Sequence, residues 1–169
     1  VAAEAYPCLP AEVVGPINPA DDLPNTEVAV SAAIASWRQM IDGITDSEGG
    51  YSVALVDPLI ALSHCYQLAS DWTGAEESLR LAQHLIHRHE GVRTLRQLEV
   101  IDRLTQIYVA SGKSIEADRE QQLALYVSQQ NVGHDPSALV PAMLKLSRWY
   151  VDSGQFVRAR KTVDDTIEM

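Results

Sequence analysis

Phenylalanine occurs once in this chain and cysteine twice. So little Phe excludes an aromatic-rich interior, and the core has to come from Leu, Ile, Val and Ala with a few Tyr and Trp. That composition leans helical. The two cysteines, Cys8 and Cys65, lie in no C-x-x-C, so the ligand spacing of zinc and thioredoxin sites is missing. They leave room for one bridge, between an N-terminal arm and a helix. The alternative for Cys65 is a small buried hydrophobe. A basic surplus is missing too. The net charge is −10, with eight acids and one base in residues 1–50 and fifteen acids and twelve bases in residues 51–169. A nucleic-acid surface needs a basic footprint, so no nucleic-acid partner is expected. No apolar run approaches the ~20 residues that span a bilayer, so no transmembrane segment is expected. No charged start with an apolar stretch behind it marks an uncut signal peptide. A start at Val1 without Met fits a cut edge or a mature end equally.

What is present suffices for a folded body. Hydrophobic residues make up 46% of 169, enough to bury a core in one domain or one short repeat array. Residues 1–25 carry Pro7, Pro10, Pro16, Pro19 and Pro24. Proline fixes φ and removes a donor, so this stretch reads as an extended arm. Its apolar Val13, Val14 and Ile17 favour docking over a loose tail. The next stretch, 26–43, reads as a helix capped by Asn25 or Thr26 and closed by Gly43. Val30, Ala33, Ile34, Trp37, Met40 and Ile41 give it one apolar face.

Tyr66 returns as Tyr108 and, after an equal step, as Tyr150. Leu62, Leu104 and Leu146 keep the same step, as do Ala75, Ala117 and Ala159, and Gly49, Gly91 and Gly133. Gly112 and Gly154 match, with Ser70 in the first place. A fixed period of this size marks a repeat array. Each unit reads as a helical hairpin. Ser52, Thr94 and Asp135 stand at the expected start of each first helix, and Pro136 suits a first helical position. The glycines break the chain into a short turn. The tyrosine fills the wedge within a helix pair, and the alanines admit neighbouring helices.

The pattern resembles the tetratricopeptide repeat. Its succession of large apolar residue, Leu, small residue, Tyr, Gly, aromatic, Ala, apolar residue and Ala is met by Leu59, Leu62, Ser63, Tyr66, Ser70, Trp72, Ala75, Leu79 and Ala82. The second unit gives Ile101, Leu104, Thr105, Tyr108, Gly112, Ser114, Ala117, Gln121 and Ala124. The third gives Met143, Leu146, Ser147, Tyr150, Gly154, Phe156, Ala159, Val163 and Thr166. The family's usual period is near 34. The period of 42 here is similar to the longer-helix variant of kinesin light chains and many bacterial repeat proteins. Gln121 and Thr166 stand where apolar or small residues are usual, so units two and three are expected to be weaker. One period before Ala75 stands Ala33, which makes the first helix the remnant of a degenerate unit.

The resemblance implies an all-α fold, a right-handed α-solenoid of antiparallel helix pairs with a proline-rich irregular N-terminal arm. It divides the chain into the arm 1–25, a capping helix 26–43, and TPR-like units 52–88, 94–130 and 136–169. Met169 falls in or just after a second helix, and more chain is expected to follow it. A looser likeness of residues 48–72 and 90–112 to exported repeat proteins of Gram-negative bacteria favours a periplasmic or extracellular location, with the cytoplasm as the alternative.

By the same resemblance the first helices line a concave groove. Its residues are Ile60, His64 and Gln67, then Asp102, Arg103 and Gln106, then Lys145, Arg148 and Asp152. Ile60 and His64 do not match the Lys/Asn/Arg clamp of chaperone-binding members. Arg103, Lys145 and Arg148 still make a basic patch in an acidic protein, suited to an acidic peptide. His84, His87, His89 and Glu90 match no zinc motif and read as a polar helix end, so no metal or other cofactor is expected. Ser63 and His64 are sequence neighbours that do not face each other on a helix, and Asp164 and Asp165 diverge likewise. No nucleophile, Walker or H-E-x-x-H motif is present. The expectation is a non-catalytic interaction scaffold with a protein or peptide partner. The alternative is a structural subunit that self-associates or packs in a larger assembly.

Overall fold

Every regular element among residues 26–132 and 136–167, the part of the chain that the computed structural model describes, is a helix. The α-helices are α1 Thr26–Glu48, α2 Val56–Leu68, α3 Trp72–Glu90, α4 Gln97–Ala110, α5 Ser114–Asn131, α6 Val140–Asp152 and α7 Phe156–Ile167. Short 3-10 turns, Val53–Leu55 and Pro136–Leu139, lead into α2 and α6. Two compact units divide the chain at residue 89. The first holds α1–α3, and the second holds α4–α7. The expected arm, Cys8, Gly133, Asp135 and Met169 lie outside the described residues.

The repeat is a repeated joint. After α2, the Tyr66 carbonyl accepts the Asp71 N–H at 2.9 Å and the Gln67 carbonyl accepts the Ser70 N–H at 3.0 Å. After α4, Tyr108 accepts from Lys113 at 2.7 Å and Val109 from Gly112 at 3.1 Å. After α6, Tyr150 accepts from Gln155 at 2.7 Å and Val151 from Gly154 at 3.0 Å. This nested pair of bonds satisfies carbonyls that a helix end leaves open, and it needs one left-handed residue. That residue is Ser70 (φ 58°), Gly112 (φ 73°) or Gly154 (φ 74°). The Asp71, Lys113 and Gln155 carbonyls then accept from Ala75, Ala117 and Ala159, starting the next helix. The glycine of the repeat is thus a conformational requirement, and Ser70 meets it against its own Cβ.

The second joint repeats as well. α1 runs through Gly43 and stops only before Gly49 (φ 89°); α3 stops before Gly91 (φ 91°), one full period later. Ending a helix this way requires the left-handed conformation, which Gly49 takes and Gly43 does not. Ser52 and Thr94 sit just beyond these joints. Their hydroxyl oxygens accept the N–H two residues on, from Ala54 at 3.1 Å and Arg96 at 3.4 Å. The α-helices proper begin a few residues later, at Val56 and Gln97.

In the first unit α1 packs on α2 through buried Ala33 and Cys65, with Ile34 and Trp37 against them. Met40, expected on this face, is exposed. In the second unit α4 packs on α5 around Ile101, Ala124 and Val127. α6 packs on both α5 and α7, and Leu125 of α5 joins Leu146, Tyr150 and Ala159 there. The motif alanines Ala75, Ala82, Ala117, Ala124 and Ala159 are all buried. Gln121 departs from the motif without leaving a defect. It is buried, and its Nε2 donates to the Thr105 hydroxyl at 3.0 Å, which donates onward to the Ile101 carbonyl at 2.9 Å. The Thr166 hydroxyl donates to the Thr162 carbonyl at 2.6 Å.

Candidate partner-binding face

Helical spacing sets Asp102, Arg103 and Gln106 along α4, and Lys145, Arg148 and Asp152 along α6. Asp102 and Arg103 are half-buried; the other four are exposed. Lys145 Nζ reaches both oxygens of the Asp102 carboxylate, an ion pair between residues 43 apart in sequence. Arg103 donates through Nε and Nη2 to Glu99 Oε1 at 3.2 and 3.1 Å. Two of the three cations of the expected basic patch are therefore matched by carboxylates of their own unit. The face is a charge network rather than a bare positive patch. Exposed ion pairs contribute about 0–1 kcal/mol, so a carboxylate brought by a partner can replace Asp102 at little cost.

Arg148 and Asp152 border a cavity of about 500 Å³, with Gln121, Pro141, Leu144, Lys145 and Trp149. A second cavity of about 450 Å³ shares Gln121, Pro141 and Lys145 and runs between α5 and α6 over Leu98, Ala124 and Leu125. Lys145 thus has an apolar cleft beside it. Sequence reasoning followed the charges of α6 and passed over Pro141, Leu144 and Trp149 on the same helix; it missed Leu98, Ala124 and Leu125 because a face drawn from one helix omits what its neighbours add. In the first unit, Ile60 is buried, His64 is half-buried, and Gln67 is half-buried with Nε2 unpartnered among the described residues.

A polar hub that sequence reading did not find lies at the turn end of this unit. Asp118 Oδ1 accepts from Trp149 Nε1 at 3.1 Å and from Gln155 Nε2 at 3.2 Å. Its Oδ2 accepts from Gln122 Nε2 at 2.7 Å and Arg158 Nη1 at 2.8 Å. One carboxylate thereby ties α5, α6 and α7 together. Burial pushes the Asp118 carboxyl up; donation from Trp149, Gln155 and Arg158, with the Arg158 charge, outweighs it and holds the group below its usual value. Burial and the Asp118 charge push the Tyr150 hydroxyl up, against Arg158 and Gln122. The hub also borders a cavity of about 610 Å³ over Val109 and Ile115.

Each repeat tyrosine carries a cation over its ring: Arg38 at 5.5 Å from the Tyr66 centre, Lys113 at 5.7 Å from Tyr108, and Arg158 at 5.5 Å from Tyr150. The equivalent of Arg158 beside Tyr66 is Gly74, two periods earlier. A Cβ on Gly74 would meet Asp71 Oδ2 at 2.7 Å and Tyr66 Cδ1 at 3.1 Å. The cation over Tyr66 comes instead from α1.

Among the described residues no three His, Cys, Asp or Glu side chains converge as metal ligands. His89 Nε2 is engaged by the Tyr51 carbonyl at 2.7 Å, and Arg88 lies over the Tyr51 ring. Cys65 is fully buried, and Cys8, proposed to bridge to it, is outside the described residues. No described helix is long and apolar enough to cross a membrane.

No protein-family model and no curated protein matches the chain. Among solved structures it is similar to the crystal structure of BtubC (BKLC) from P. vanneervenii, with a TM-score of 0.67 and 18% sequence identity. The likeness covers 83% of this chain and 56% of that one, so the chain spans little more than half the length of BtubC. At this identity the two share a helical fold.

Proposed function

We propose that the chain is a tetratricopeptide-like α-solenoid and a non-catalytic scaffold. It holds a peptide or protein segment on the face of Asp102, Arg103, Gln106, Lys145, Arg148 and Asp152. The observation that carries this reading is the exposed Lys145–Asp102 pair beside an apolar cleft and next to Arg148. A partner segment with an acidic residue flanked by an apolar one suits it. The acid takes Lys145 and Arg148, and the apolar side chain lies against Pro141, Leu144 and Trp149. An exported, periplasmic or extracellular setting belongs to the same reading.

The test is cross-linking and capture of the full-length protein from its own cells. Lys145→Glu/Arg148→Glu should lose the captured segment while the circular dichroism of the chain is unchanged. Capture that survives this double change rejects the face. The alternative reading, a structural subunit, is favoured by one observation: Phe156, Val157 and Ile167 of α7 stand exposed.

A further inference from the structure

The charges around the α4 and α6 face fall into two sets. Lys145 is held by Asp102, Arg103 by Glu99, and Asp118 by Arg158. Arg148 and Asp152 are exposed on α6, and among the described residues neither is in an ion pair. They stand four residues apart with the cation first, the less favourable order for a pair within one helix. The uncompensated charge on α6 is therefore one of each sign.

The three cavities of the second unit adjoin along α6. The one over Leu98 and Leu125 shares Pro141 and Lys145 with the one beside Arg148. That one shares Trp149 and Asp152 with the one over Val109 and Ile115. Together they make a furrow from Pro141 to Asp152, about 16 Å long by the helical rise. Its walls come from α4, α5, α6, the first turn of α7 and their connections, all within the second unit. The Lys145–Asp102 contact reaches from α6 to α4, so the furrow there is narrower than the ~10 Å of a helix, and an extended segment fits it. Arg148 and Asp152 are about 6 Å apart along the helix axis, and successive side chains on one face of an extended strand are about 6.7 Å apart.

We infer that the furrow selects a bipolar extended segment, with apolar, acidic and basic side chains at alternate positions. The acid meets Arg148, the base meets Asp152, and the apolar side chain lies on the acid's other side, against Pro141 and Leu144. The inference rests on the partner-binding face proposed above and sharpens its partner from acidic to bipolar. Charge complementarity carries it: an acidic segment alone answers Arg148 and leaves Asp152 facing a like charge or none.

A random dodecapeptide library displayed on phage and selected on the full chain tests this. Phage that also bind the Lys145→Glu/Arg148→Glu chain are subtracted. The enriched sequences should carry an acid and a base with one residue between them, and selection on Asp152→Lys should replace the base by an acid. In fluorescence anisotropy, changing the base of an enriched peptide to Gln should weaken binding to the parent chain about threefold to tenfold, and should alter binding to Asp152→Asn by less than about twofold. These positions face solvent, so unchanged circular dichroism confirms that the variants are folded. Enriched sequences that are acidic without a fixed base overturn the bipolar segment and leave the acidic partner standing. So does a Gln change that costs both chains equally. No enrichment beyond the subtracted phage overturns the face and the bipolar segment together.

Discussion

Arg38 donates through Nε to the Tyr66 hydroxyl at 2.8 Å and lies 5.5 Å above the centre of the same ring. The contact joins α1 to α2 across 28 residues of sequence. A part-buried charged hydrogen bond and a cation over an aromatic face together contribute about 1–3 kcal/mol. Arg38→Ala should lower unfolding stability by about that amount, read by chemical denaturation. Arg38→Lys should recover only part of it, because an ammonium lacks the planar fork that serves ring and hydroxyl together.

Asp118 gives the second unit an acid-sensitive joint. Its folded pKa lies below the usual carboxylate value. Its contribution is therefore complete above the unfolded pKa, near 3.8, and is lost as pH falls through the lower folded value. Asp118→Asn should cost about 1.5–3 kcal/mol at neutral pH, as an amide cannot accept from all the donors that meet there. It should also flatten the acid limb of stability against pH. Tyr150 acts at the other end. Its raised pKa means that its contribution is complete below the unfolded value near 10 and is lost as pH rises through the folded one. Tyr150→Phe should flatten the alkaline limb.

Ser70 occupies the left-handed position that glycine fills in the other two hairpins. Ser70→Gly should raise stability by up to about 1 kcal/mol, the relief of its Cβ exceeding the extra freedom given to the unfolded chain. Gly112→Ala and Gly154→Ala should each lower it by about 1–2 kcal/mol. Thermal melts of the three variants decide the matter, and a Ser70→Gly loss larger than either alanine change would reject the strain argument.

Gln121 and Thr105 form a buried polar pair where the first repeat has Leu79 in the Gln121 position. Thr105→Val leaves the Gln121 amide without its acceptor and should cost about 1–3 kcal/mol. Adding Gln121→Leu should recover most of that loss, because two apolar groups need no partner. Two losses that merely add would show that the hydrogen bond matters little.

Much of the local architecture was legible from the sequence. The constant step from tyrosine to tyrosine located three interhelical turns and the residue in each that turns left-handed. Ala33, opposite Cys65, was placed on a buried face by the same step. The end of α1 was misread because a glycine in a helix is ambiguous. Gly43 stays helical while Gly49, in register with Gly91, ends the helix. The candidate face was legible only in part. Helical spacing found Lys145 and Arg148, but pairing with Asp102 depends on where α4 lies. The Asp118 hub was invisible for the same reason: its donors Trp149, Gln155 and Arg158 come from 31 to 40 residues away and obey no period.

The joint that spans six residues from tyrosine to helix start has a kinetic consequence. Each hairpin closes through bonds between near neighbours in sequence, and α5 meets α6, the next helix along. Loops this short close at small entropic cost, and contacts this local form early. The contacts within 97–131 are therefore local ones, while the Leu125 side of α5 stays uncovered until α6 packs against it.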